Sequence, residues 1–555
     1  VVYKTTDGGQ TWTRIWYGDN LARYIWIHPQ DHNLLYVSTG IFDREAANSN
    51  IANLEPGGLG VLRSRDSGAT WEVLGVGNGF DPDDLYIGSL FMHPQNPDIL
   101  LAGAGNDPYS WKVGHVLGGV YLTEDGGDTW TETLDGHNIS GVEICLGDPN
   151  IAYASARTGF FRSTDAGRTW QEVAGRNWGP PDAVVGWPID IQCDPRDARR
   201  IFVNAYGGGV FFSEDSGATW TTSSKGYTGA LTHSIAVASD DPARVYAGAR
   251  SGVFTSADGG ENWLGLNSGA ARDLEGLFVS LDPLDPRHLI AIYLDTGLRP
   301  TVSFDGGQTW QEGDAMFAAE EGIITRIIFS PATPWLVLAT VGDKGCHTDA
   351  GDGCRSQPGG GVIRSTDGGL TWTQTSLASG QVQDLAFSGD GGQAFAVVYD
   401  GQLFRSDDGG QTWQLVSSNL TALVPARPDA DTDALAVIVF SLAVDPSNGE
   451  NLFVGFYGGG LALSQDGGQT WAHSSAGMSP EAMVTAIVVD PNNSSVVYAG
   501  TLNGGLYYSL DGGQTWAVHN NGLFNRAIRG LALSADGSVL YASTDGAGVF
   551  RLGTP

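Results

Sequence analysis

Short apolar runs alternate with polar, glycine-rich turns along the whole chain. One repeat shows the order clearly. Ala486-Ile487-Val488-Val489 ends on Asp490-Pro491, Val497-Tyr498-Ala499-Gly500 follows, then Gly505-Leu506-Tyr507-Tyr508-Ser509, and a fourth run opens at Trp516. Such runs, rich in β-branched and aromatic residues and bounded by Gly, Pro, Asp and Asn, predict β-strands. Four strands, A to D, recur in constant order. The A–B turn is a short Asp-Pro or His-Pro segment in several repeats, as at His28-Pro29, His93-Pro94, Asp194-Pro195 and Asp445-Pro446.

The C–D turn carries the strongest signal. The pattern Ser/Thr-x-Asp-x-Gly-x-Thr-Trp occupies 5–12, 64–71, 123–130, 163–170, 213–220, 256–263, 303–310, 365–372, 406–413, 464–471 and 509–516, with Asn262 replacing Thr in the sixth copy. Successive copies lie about 40 to 60 residues apart, the length of a four-stranded propeller blade. The Asp accepts hydrogen bonds from the amides of a tight hairpin. The Gly supplies a positive φ without a Cβ clash, and the Trp gives each repeat a large apolar anchor. These eleven segments resemble the Asp-box, or bacterial neuraminidase repeat, and the resemblance covers essentially the whole chain. It implies an all-β fold of propeller blades, four-stranded and antiparallel, with the box as the C–D hairpin and about eleven blades.

Eleven blades exceed the usual four to eight per ring. Two rings are therefore expected, over 1–315 and 316–555, with one large ring of ten or eleven blades, as in sortilin-type receptors, as the alternative. The chain opens in a C strand and ends on an A–B–C fragment, so the two ends could share a closing blade.

Antiparallel strands put the A–B and C–D turns on one face of a propeller and the B–C and D–A loops on the other. The B–C loops at 41–56, 105–117 and 342–359 and the D–A loops at 75–85, 174–186 and 417–433 are long. Every long insertion thus decorates the face opposite the boxes, which is where a rigid scaffold carries its function. The box aspartates, by contrast, are hairpin staples.

Charge narrows the partners. With 62 acidic against 29 basic residues, the formal net charge is -33, which repels nucleic acid and anionic lipid. No apolar stretch is long enough to cross a membrane as a helix, and the Val1 start reads as a mature or trimmed product. Cys346 and Cys354 share one loop and are expected to form a disulfide. Cys145 and Cys193 occupy similar places in successive repeats and could pair or remain buried thiols. A loop disulfide favours an extracellular or cell-surface location.

On the insertion face, Tyr109 and Trp111 lie in a B–C loop, and Trp178 and Trp187 lie in or beside a D–A loop. Planar rings on an exposed rim suit the apolar faces of sugars. Carboxylates at B–C turns are Asp107, Asp295, Asp343, Asp400 and Asp545, with Asp43 and Glu45 in the first insertion. An inverting glycosidase needs an acid and a base roughly 6.5–9.5 Å apart. Segment 541–551 resembles the Tyr-Ala-x-Thr-Asp-x-Gly-Gly-x-Tyr-Arg motif of tandem-propeller xyloglucanases. That likeness puts Asp545 on the general-base position, although Ala547 replaces a Gly, the segment lies at the C-terminal end, and the family's acid motif has no visible counterpart. Asp545 and Asp43 are the catalytic candidates.

The sialidase pattern is absent: no Phe-Arg-Ile-Pro segment accompanies the arginines. No cofactor is expected, although calcium is possible at Asp429-x-Asp431-x-Asp433, where Ala434 and Phe440 depart from a calcium loop. His347, Asp349 and Asp352 form a second, weaker cation candidate. His28 and His93 share one repeat position and read as structural. Two functions follow. The first is an extracytoplasmic carbohydrate-binding propeller, acting as a glycoside hydrolase on polysaccharide. The second is a non-catalytic protein-binding, assembly or surface-layer propeller, as the resemblance to sortilin receptors and photosystem assembly factors implies.

Overall fold

The computed structural model describes residues 2–18, 22–40, 58–82, 85–105, 118–156, 158–175, 187–206, 209–223, 231–249, 252–266, 276–293, 300–314, 323–342, 360–424 and 438–554. The chain is all-β. Ten four-stranded antiparallel sheets, one three-stranded sheet and one two-stranded sheet follow one another in sequence. Within each, neighbouring strands are consecutive in the chain, as a propeller blade requires.

The chain divides into two compact units, Val1–Ser223 and Ser224–Pro555. The expected boundary at 315/316 falls inside the second unit, between the strands Gln311–Glu312 and Ile323–Phe329. The first unit holds a two-stranded C–D hairpin (Val2–Lys4 and Thr13–Trp16), then blades 1 to 4, whose inner A strands are Ala22–Ile27, Tyr86–Met92, Ile139–Ile144 and Trp187–Asp194. The second unit holds blades 5 to 11, with A strands Thr232–Val237, Gly276–Leu281, Ile323–Phe329, Val382–Phe387, Ile438–Asp445, Val484–Val489 and Ile528–Leu533. The strands at the chain's two ends belong to separate sheets.

The second unit closes on itself. Each A strand packs beside the next, and that of blade 11 packs beside that of blade 5. Thr232 of blade 5 makes the closing bonds: its hydroxyl donates to Thr544 O at 2.9 Å and accepts from Thr544 N at 2.8 Å. Elsewhere in the ring a polar side chain of one A strand bonds the backbone of the next. Ser234 Oγ accepts from Val279 N, Asp384 Oδ2 accepts from Leu442 N, and Thr485 Oγ1 donates to Ile528 O. These bonds satisfy backbone groups that the packing of blades would otherwise bury unpaired.

The boxes fold as their residues dictate. In blade 10, Asp511 Oδ1 accepts from Thr515 N and Oδ2 from Thr515 Oγ1, at 2.9 and 2.6 Å. Ser509 Oγ donates to Asp511 Oδ1 and accepts from Gly513 N, and Gly513 has φ +87°. In the sixth copy Asn262 Nδ2 donates to Asp258 Oδ2 at 2.6 Å, so Asn reproduces the bond that Thr makes elsewhere. In blade 10 the box Trp then enters the core between blades. Trp516 packs with Phe453, Met478, Ile487 and Val489, and its indole N–H donates to Ser474 O.

In the first unit Cys145 and Cys193 are joined in a disulfide that links blades 3 and 4. Both are buried. Of the two fates open to these cysteines, the pair is the one realised; Cys346 and Cys354 lie outside the described residues. His28 and His93 do the same work, each imidazole Nδ1 accepting from the two amides that begin the A–B turn.

Candidate functional site

All eleven inner strands carry a β-bulge near their first residues, at the end that faces the B–C and D–A loops. A bulge re-aims the side chain at that position. In blade 11 the bulged residue is Arg529, and it meets Asp545, one of the two catalytic candidates.

Asp545 follows strand B (Val539–Thr544) at the B–C turn. Its amide donates to Ala527 O at 2.8 Å, and its carbonyl accepts from Asn525 Nδ2 at 2.7 Å. Arg529 Nη2 lies 2.7 Å from Asp545 Oδ2. Gly546 follows with φ +97°, which lets the turn reverse tightly at the carboxylate. The D–A loop that holds Asn525 also presents Phe524, which is 74% exposed and sits edge-on to Phe550 at 4.7 Å between centroids. The site thus offers a fixed, partly exposed carboxylate, a cation paired with it, and an open aromatic ring.

Arg529, Asn525 and Phe524 were not among the expected residues. Their signal was slight: an aromatic and an Asn in a short D–A segment that carries no insertion, and an Arg at the start of the next strand. A second ring pair lies on the same face of blade 9, where the bulged residue Phe440 lies 5.9 Å from Tyr457 at the end of strand B, the rings tilted by 40°. Asp400 sits at the blade 8 turn and accepts from Gln402 N.

Asp43, Tyr109, Trp111 and Trp178 lie outside the described residues, as do Glu45, Asp107, Asp295, Asp343 and the cation candidates His347, Asp349, Asp352, Asp429, Asp431 and Asp433. Trp187 opens the inner strand of blade 4, in register with Tyr206. Among the described residues no group of three or more His, Cys, Asp or Glu side chains is placed to hold a metal ion.

Two of the buried carboxyls on inner strands, Glu143 and Asp384, bond to a neighbouring blade. Glu143 of blade 3 is 2% exposed, and its Oε1 accepts from Cys193 N and Gln192 Nε2, both at 2.9 Å. Burial pushes its pKa up to about 8, because the site disfavours the charged form. Asp384 of blade 8 is also raised by burial, against the pull of Arg326 at 3.0 Å. Both brace blade to blade.

The BNR/Asp-box repeat model matches at 301–312, 404–415 and 507–517, three of the eleven hairpins described above. The chain is an Asp-box β-propeller protein. This propeller chain is 25% identical over 330 residues to a xyloglucanase of Paenibacillus sp, a match covering 51% of the chain and 32% of that protein. A xyloglucanase of Acetivibrio thermocellus is 23% identical over 328 residues, covering 51% and 39%. The matched region therefore spans well under half the length of these curated relatives. Among solved structures, the GH74 xyloglucanase from Xanthomonas campestris is 17% identical and covers 98% of this propeller chain and 100% of its own, with a TM-score of 0.30.

Proposed function

We propose that this chain is an extracellular carbohydrate-active propeller that binds xyloglucan-type polysaccharide on its loop-bearing face and cleaves it with paired carboxylates, Asp545 serving as the base. The observation that carries the reading is the Asp545–Arg529 pair, at the turn where the xyloglucanase-like motif puts a general base. The similarity to two xyloglucanases over about half the chain supports the substrate class.

The chemistry asked of Asp545 is modest. A base must accept a proton from water while a second carboxyl group protonates the leaving oxygen. Arg529 holds one carboxylate oxygen and leaves the other for water, and the backbone bonds of Asp545 fix the direction it faces. Asp43 is the second catalytic candidate, tested by its own substitution. Phe524, Tyr109, Trp111, Trp178 and Trp187 are the proposed sugar-stacking residues. The buried Cys145–Cys193 disulfide suits an oxidising location.

The test is a panel of polysaccharides with analysis of the products. Release of oligosaccharides from xyloglucan, lost in both Asp545→Ala and Asp43→Ala, is the expected result. Neither cleavage nor binding of any glycan would leave a non-catalytic protein-binding propeller as the better account.

A further inference from the structure

The box face of the second unit carries a feature that hairpin chemistry does not explain. At the A–B turn of nine blades, one backbone carbonyl accepts an amide of the box. In blades across the chain that carbonyl belongs to residues such as Asn33, Asp98, Asn150, Arg287, Glu450 or Ser495. In blade 7 it belongs to Trp335, which accepts from Gly368 N at 3.0 Å. Trp335 has φ +66°. A bulky side chain in the left-handed region is strained and a genuine outlier. The Trp is also 50% exposed, so it does not recover that cost as a core residue would.

The ring is nonetheless held firmly. It lies 5.3 Å from Phe304 at 32° between planes, and 5.6 Å from His288 at 38°. Phe304 and His288 stack on each other at 4.7 Å. Phe304 occupies the second box position, which holds Thr, Arg, Glu, Ala, Asp, Gln or Leu in the other ten copies. His288 is buried and fixed from both sides, Nδ1 3.1 Å from Asp282 Oδ2 and Nε2 2.9 Å from Gly368 O. A Cβ at Gly368, in the box of the same blade, would come within 2.9 Å of the Trp335 ring, so the glycine leaves room for it. Among the described residues the Trp335 indole N–H has no hydrogen-bond acceptor.

We infer that Trp335, backed by Phe304 and His288, is a carbohydrate-binding platform on the box face that stacks on the apolar face of a pyranose ring. An exposed, rigid, uncharged ring with a free N–H donor fits a sugar's C–H face and its rim of hydroxyls. The platform lies on the face opposite the B–C turn of Asp545. It would anchor a polysaccharide chain outside the cleavage site, and in this it rests on the functional reading above.

The test is affinity electrophoresis of the whole chain through gels containing xyloglucan. Trp335→Asn suits it because Asn tolerates the left-handed backbone, so thermal unfolding should not fall. Loss of the ring should weaken retention about five- to tenfold, while Trp335→Phe retains most of it. Cleavage of short oligosaccharides should be unchanged in both variants. Retention of Trp335→Asn equal to wild type would overturn the platform and leave the functional reading intact. Loss by that variant of binding to a poly-L-proline peptide, with polysaccharide retention unchanged, would overturn it in favour of a peptide site. Wild-type protein that neither binds nor cleaves any glycan would instead sink the functional reading itself.

Discussion

Asp545 owes its direction to its backbone as much as to Arg529, since Asn525 and Ala527 hold the peptide groups on both sides of its side chain. Substituting Arg529 should therefore misdirect the carboxylate without unfolding the blade. Arg529→Ala should lower kcat on xyloglucan about tenfold or more, against about 10²-fold or more for Asp545→Ala, as steady-state kinetics would read. Glu143 makes a prediction about pH. Its pKa in the folded chain, about 8, lies above the ordinary carboxyl value of 4.5. The stability it contributes is therefore fully present below about pH 4.5 and is lost as pH rises through 8. Denaturant unfolding should show the first unit losing a few kcal/mol across that window, on the order expected for such a shift. Glu143→Gln should flatten the slope. The box aspartates run the other way. Hydrogen bonds from Thr515 lower Asp511 to about 2, so its contribution is present above the ordinary value of 3.8 and disappears as pH falls toward 2.

At the scale of the element, the box hairpin was fully legible because its bonds are local. Asp511, Thr515, Ser509 and Gly513 lie within a few residues of one another, and each residue type can be assigned its bond from the sequence. Asp545 was legible for the same reason, as part of a local motif. Arg529 was not, because its role depends on a bulge, and a bulge is a property of two paired strands. Trp335 was missed because only its left-handed backbone distinguishes it from any other aromatic residue. The Cys145–Cys193 disulfide joins residues 48 apart at the ends of two inner strands, a pairing that spacing left open. Replacing both cysteines with Ser should cost the first unit about 2–4 kcal/mol, visible as a lower unfolding temperature. Because both sulfurs are buried, mild reductant should act slowly on the folded chain.

At the scale of the molecule, eleven similar repeats give no local sign of where one unit ends. The boundary at 223/224 reflects closure of blade 11 onto blade 5, made by Thr232 and Thr544, 312 residues apart. Thr232→Val keeps the shape but removes the hydroxyl's hydrogen bonds to Thr544 and Gly548. Leaving the buried Thr544 amide unpaired should destabilise the second unit by about 1–3 kcal/mol and raise hydrogen exchange in the strands of blades 5 and 11 before those of blade 8. The same closure brings the Asp545 turn into a continuous ring, so the proposed site depends on blades at both ends of the unit.

The most direct test of the central claim is the rate of reducing-end release from xyloglucan by wild-type chain and by Asp545→Ala, with binding measured on the same samples. The account predicts steady release by wild type, loss of about 10²-fold or more in the variant, and undiminished polysaccharide binding by both. Equal rates in the two proteins, or no release by wild type, would contradict it.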